Sequence, residues 1–146
     1  MKCKRNLTAV LLCLLVTSLF SFACAEKKEG KVIVTEKAFE IEKDGKYTLS
    51  LNVKGKIKNV GPVDVKNIVV TGRCNTCDEV MISGQWFVTQ TVKTPDQKDT
   101  VNYLAAGAVA EFQFKDIAFY YTKSGEPPQG YPEGLEAYIE SFETVE

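Results

Sequence analysis

From Tyr47 to Lys58 the chain alternates apolar and polar residues with a period of two. Tyr47, Leu49, Leu51, Val53, Gly55 and Ile57 fall on one side, and Thr48, Ser50, Asn52, Lys54, Lys56 and Lys58 on the other. A helix, with its period of 3.6, would scatter these residues around its axis. Only an extended strand gathers them on two faces, so this stretch predicts a half-buried antiparallel strand. The turn chemistry of Asn59-Val60-Gly61-Pro62 ends it.

The flanking segments follow the same pattern. Lys31 to Ile41 is β-rich and stops at Asp44-Gly45. Val63 to Thr71, rich in Val and Ile, is expected to be the partner strand. Gly72 to Gly84 reads as irregular. Strands are predicted over Gln85–Lys93, Thr100–Leu104, Val109–Phe114 and Ile117–Thr122, with a turn at Thr94-Pro95-Asp96 and a small-residue loop at Ala105-Ala106-Gly107. Lys123 to Gly134, with Pro127, Pro128 and Pro132, reads as a long loop. Residues 135–145 fit two patterns. Leu135, Tyr138, Ile139 and Phe142 have helical spacing, but the segment is dense in β-formers, so a closing strand is preferred to a helix. Short strands at regular spacing, separated by turns, predict an all-β antiparallel sandwich.

The first residues predict something other than fold. Lys2, Lys4 and Arg5 precede an uncharged, mostly apolar run from Leu7 to Phe22, and Ala23-Cys24-Ala25 follows. A basic front, a short apolar middle and a small-residue exit make a signal peptide. The run is too short and too interrupted by Thr and Ser for a membrane span. Two processing routes fit. Cleavage after Ala25 would free a chain starting at Glu26, and lipidation at Cys24 would make an anchored lipoprotein. The expected organisation is a signal peptide over 1–25, a charged tether over 26–31 and a sandwich domain over 32–146. The expected location is the periplasm, or a membrane held only through lipid on Cys24.

Export decides how the cysteines are read. Cys3, Cys13 and Cys24 belong to the leader or its processing site, which leaves Cys74 and Cys77. A remaining pair in an oxidising compartment predicts a disulfide. The alternatives for Cys74-Asn75-Thr76-Cys77 are a redox pair or a metal site. A redox pair needs a cation or helix N-terminus to stabilise a thiolate. Arg73 is adjacent, but Asp78 and Glu79 oppose it. Structural zinc needs four ligands, and the chain has no histidine and no second pair of cysteines at this spacing.

The missing histidine also excludes a histidine general base and a Ser-His-Asp triad. With 18 basic and 19 acidic residues the chain carries a net charge of −1, and the leader takes away part of the basic share. A mildly acidic domain lacks the patch that nucleic acid or anionic lipid would require.

Val53 to Val70, VKGKIKNVGPVDVKNIVV, resembles the FxLYD-type domains of bacterial exported proteins. Gly55, Ile57 and Asn59 match the family's first strand, and Val65 to Val70 match its second. Leu104, Gly107 and Phe112 match its later loop and strand. The similarity extends over about residues 47–145, with Gly72-Arg73-Cys74-Asn75-Thr76 departing where the family's naming residues fall. The resemblance implies an immunoglobulin-like β-sandwich with no catalytic residues.

Among the aromatics, Trp86 is expected in the core with Phe87 facing out, the alternative being an exposed tryptophan for partner contact. Phe119, Tyr120, Tyr121 and Tyr131 are expected to pack the core and anchor the long loop. Glu133, Glu136, Glu140, Glu143 and Glu146 read as a solvated face. The expected function is a non-enzymatic binding or structural module of the cell envelope with no cofactor, contacting an envelope protein or ligand through its loop ends. The alternative is a thiol-disulfide or metal-handling protein acting through Cys74 and Cys77.

Overall fold

The structure, a computed structural model, describes residues 28–89 and 92–145. The proposed leader, Cys24 included, lies outside the described residues. Seven strands form two antiparallel sheets: β1 (Val32–Lys43), β2 (Thr48–Asn59), β3 (Val65–Cys74), β4 (Gln85–Phe87), β5 (Lys98–Leu104), β6 (Val109–Tyr121) and β7 (Leu135–Thr144). One sheet has the order β1-β2-β6-β4 and the other β5-β3-β7. The chain is therefore an all-β sandwich, as the alternation predicts. The sheet neighbours are those of an immunoglobulin-like arrangement, although β4 precedes β5 in the chain. The last segment is a strand, the outcome its β-formers favoured over its helical spacing.

The core lies between the sheets. Val53, Ile57, Phe112 and Phe114 face Val65, Ile68, Val70 and Leu104, all buried. Burying each such side chain stabilises the fold by about 1.5–3 kcal/mol. Gly55 interrupts the apolar row for a steric reason. A Cβ there would stand 2.1 Å from the Glu36 carbonyl oxygen and 2.8 Å from the Phe112 ring. The β1–β2 register slips between Val34 and Glu36, which lets the backbone of β1 fold down over this position.

Two further irregularities share one sequence pattern. Val65-Lys66-Asn67-Ile68 and Phe114-Lys115-Asp116-Ile117 each place buried apolar residues three apart rather than two. Asn67 and Asp116 take up the extra residue with positive φ values of 51° and 59°. Asn and Asp tolerate this region better than other non-glycine residues. The second bulge corrects an expectation: Val109–Phe114 and Ile117–Thr122 are one continuous strand, β6. Of the expected strand over Gln85–Lys93, residues 90 and 91 lie outside the described residues, and among the rest only Gln85–Phe87 is strand, with Val88 N donating to Asp78 O instead. The segment expected to be irregular from Gly72 also differs, since β3 runs on to Cys74.

The start of the described chain is tied down. The Lys31 carbonyl accepts from Val60 N at 2.7 Å and Gly61 N at 3.2 Å, and Gly30 packs beside Val65, Phe142 and Thr144. The chain thus enters at the end of the sandwich that holds the β2–β3 and β5–β6 turns. That end is clamped by Asn59, which is 0% exposed. Its Nδ2 donates to Val63 O at 2.8 Å and Leu104 O at 3.2 Å, and its Oδ1 accepts from Gly61 N at 3.0 Å. Its backbone exchanges bonds with Gly107 N and Ala108 O.

Candidate functional site

The opposite end of the sandwich carries the chemistry picked out in the sequence. β3 ends at Cys74, which is joined to Cys77 with the sulfurs 2.00 Å apart. The expected disulfide is present, and both cysteines are half-buried. The bridge closes a loop of four residues, so chain-entropy arguments give it a contribution of only about 2 kcal/mol. Its structural use is local. Asn75 N donates to Gly134 O at 3.1 Å, and the Thr76 hydroxyl donates to Glu133 O. The bridged loop therefore holds the entry to β7.

After Cys77 the chain is pinned again. Asp78 N donates to Trp86 O at 3.2 Å and its carbonyl accepts Val88 N at 2.8 Å. At the other end of the loop, Gly84 N donates to Tyr121 O at 2.8 Å, and Lys123 N donates to Ser83 Oγ at 3.2 Å. Between these anchors Val80, Met81 and Ile82 project with 64%, 54% and 46% exposure. Three consecutive apolar residues held out of the core are a feature that single exposed apolar residues are not. Tyr47 is also exposed at this end, its carbonyl accepting Thr122 N at 2.9 Å. This patch is not among the features expected from the sequence. Its signal was an apolar run inside a segment otherwise rich in polar residues and glycine.

The aromatics sit differently from expectation. Phe87 is the buried member of its pair and Trp86 is half-buried. The Trp86 ring lies 5.4 Å from that of Tyr120, and its Nε1–H donates to Gly130 O at 3.2 Å. An indole buried in the core would have to find an acceptor there. At the sheet margin the long loop supplies one. Tyr131 does anchor that loop, its hydroxyl donating to Phe39 O at 2.9 Å, but its ring stays exposed. Phe119, Tyr120 and Tyr121 are half-buried.

The chemistry available at this end is limited. Arg73, the cation nearest the cysteines, is committed elsewhere. Its Nη2 stands 2.6 Å from Glu136 Oε2 and its guanidinium lies over Tyr138 at 5.2 Å. Cys74 ends a strand, not the N-terminus of a helix. Among the described residues, no group of three or more His, Cys, Asp or Glu side chains could hold a metal ion. The expected solvated glutamate face is partly ion-paired, with Glu136, Glu140 and Glu143 facing Arg73, Lys98 and Lys66; Glu133 is exposed, and Glu146 lies outside the described residues.

Titratable groups with displaced pKa values lie away from the cysteines. Hydrogen bonds from Tyr103 OH and Ala106 N hold the Asp64 carboxyl below its ordinary range, and the same bond raises Tyr103. Burial lifts Asp116, partly offset by a bond from Ser50. Burial lowers Lys93, with Lys98 nearby adding to the effect. A groove of about 640 Å³ runs over Lys54, Gly55, Lys56 and Glu111, and part of its charge is paired, as in the Lys56–Glu36 pair at 2.9 Å. Most of the residues that line it are charged, whereas a small-molecule site is lined mainly by apolar and aromatic side chains with a few polar groups.

No protein-family model, curated protein or solved structure matches this chain.

Proposed function

We propose that this chain is an exported, non-catalytic module of the cell envelope that binds a protein partner through the disulfide end of its sandwich. The observation that carries this reading is the exposed Val80-Met81-Ile82 segment, held between hydrogen-bonded anchors. Covering these half-exposed side chains would contribute about 4 kcal/mol to association.

The position of the patch favours a protein over a bilayer. The described chain begins beside Val65, at the other end of β3 from Cys74. A strand of that length spans about 30 Å. A chain anchored through Cys24 would have only a few residues before Gly30, a reach of about 20 Å. The apolar loop then points away from the membrane and toward other envelope components.

The FxLYD-type resemblance belongs to this reading, and the roles of its residues support it. Asn59 bonds Leu104 O and Gly107 N directly, while Gly55 and Phe112 meet in the core beneath β1. The shared motif is thus a structural clamp, and any binding specificity would come from the loops outside it.

A photo-crosslinking amino acid at Met81, compared with one at Lys66 near the opposite end, tests the proposal in intact cells. A discrete protein adduct is expected from position 81 alone and should disappear with Val80→Asp and Ile82→Asp together. Equal adducts from both positions, or adducts with lipid only, would refute it.

A further inference from the structure

Each sheet of the sandwich has two edges, and an unprotected edge is a template for another strand. Three of the four edges carry a device that blocks pairing. β1 is bulged near Thr35, and the Tyr131 hydroxyl takes the Phe39 carbonyl. β4 is covered by Asp78, which bonds Trp86 O and Val88 N. β5 is closed against β6 by Asp99, whose carboxylate accepts Gln113 N and Thr100 N, each at 2.8 Å.

The fourth edge, β7, differs. Among the described residues it pairs with β3 alone, in a register that runs without interruption from Leu135 to Ile139 before slipping near Glu140. Gly30 reaches only its far end, at Phe142 and Thr144. β7 contains no proline, lysine or arginine. Its inward residues Leu135 and Ile139 pack against the core but stay half-buried, as do Val34 and Phe39 of β1, the edge strand that contacts β7 across the sandwich. This is the side of β7 where an immunoglobulin-like sheet carries one more strand.

We infer that the free edge of β7 accepts an extended segment of a partner protein as an added strand, and that this segment alternates apolar with basic residues. The alternation follows from the pleat, since every second side chain of the added strand would cover Leu135, Ala137 and Ile139. The charge follows from the sequence. No lysine or arginine occurs after Lys123, whereas glutamates stand at 126, 133, 136, 140, 143 and 146. The cations that pair with Glu136, Glu140 and Glu143 are Arg73, Lys98 and Lys66, on the β3 and β5 side. β7 itself carries carboxylates and no cation, although Lys28 lies beside Phe142 to Val145 at its far end. The same charges disfavour a second copy of this chain, because two β7 edges laid together would place glutamates opposite glutamates.

Amide hydrogen exchange of the native protein, with and without a capped peptide of alternating valine and lysine, tests the inference. In the free protein, β7 amides that point away from β3 should exchange rapidly. The peptide should slow them by about tenfold or more, leaving β1 unchanged. A valine–glutamate peptide, and a valine–lysine peptide interrupted by proline, should leave β7 unaffected. Glu136→Lys with Glu140→Lys should transfer the preference to the valine–glutamate peptide. The inference is overturned if the valine–lysine peptide gives no protection, or if the control peptides protect equally. It is also overturned if β7 is already protected in the free protein, whether by dimerisation or by the chain's own N-terminal segment.

Discussion

Replacing Asn59 by aspartate changes one atom group and should remove much of the stability of this domain. The asparagine is fully buried and its amide satisfies three backbone groups, with Nδ2 donating to Val63 O and Leu104 O and Oδ1 accepting Gly61 N. Asn59→Asp keeps the acceptor but loses both donors. Two carbonyls then face a carboxylate oxygen, and the one on Leu104 is buried. An unsatisfied buried group costs about 1–3 kcal/mol, and burying the charge adds to that. A loss of about 3–5 kcal/mol at pH 7 is expected, against a total of about 5–15 kcal/mol for a domain of this kind.

The loss should depend on pH with a definite sign. Burial and the facing carbonyls favour the protonated acid in the folded state, so its pKa rises above the unfolded value of about 3.9. The penalty is therefore smallest below that value and grows as pH rises through the folded pKa. At pH 4 the protonated form can donate one of the two lost bonds. Urea unfolding of the wild type, Asn59→Asp and Asn59→Ala at pH 4 and pH 7, with linear extrapolation, separates these effects. The alanine variant should show a deficit independent of pH. An aspartate variant within about 1 kcal/mol of wild type at pH 7, or a deficit unchanged at pH 4, would refute the reasoning.

Gly55→Ala should lower the melting temperature by about 10 °C, since the added Cβ meets the Glu36 carbonyl and overpacking costs about 1–3 kcal/mol; calorimetry showing a change below about 2 °C would count against the close approach of β1. Asp64 should contribute to acid sensitivity. Its pKa is depressed in the fold, so its stabilisation is present above about pH 4 and is lost as pH falls through the folded value. Melting curves from pH 5 to pH 2.5 should be flatter for Asp64→Asn than for the wild type, and parallel profiles would remove the hydrogen bonds from Tyr103 and Ala106 as the cause.

The candidate site was legible in part. The Cys74–Cys77 bridge could be read from the chain because cysteine parity, with the expected leader set aside, leaves one pair three residues apart. The Val80-Met81-Ile82 patch could not be read with the same ease. An apolar triplet in a loop is ambiguous until the structure shows that Asp78 and Gly84 hold it off the core. Trp86 and Phe87 show the same limit. Alternation says that neighbours face opposite ways, but which one is buried depends on an acceptor supplied by Gly130, 44 residues away in the chain.

What the sequence determined by itself was local. The period of two over Tyr47–Lys58, the turn at Asp44-Gly45, the proline-rich loop before β7 and the β-formers of β7 act over a few residues, where backbone sterics and burial of one face decide the outcome. What only the tertiary structure decided depends on segments far apart. The bulge at Asp116 keeps Phe114 and Ile117 in one strand because both must reach the same core. Asn59 becomes a clamp only when the turns on either side of it close upon its amide. Among the described residues β7 pairs with β3 alone, and strand order across two sheets is settled by packing that no local pattern encodes.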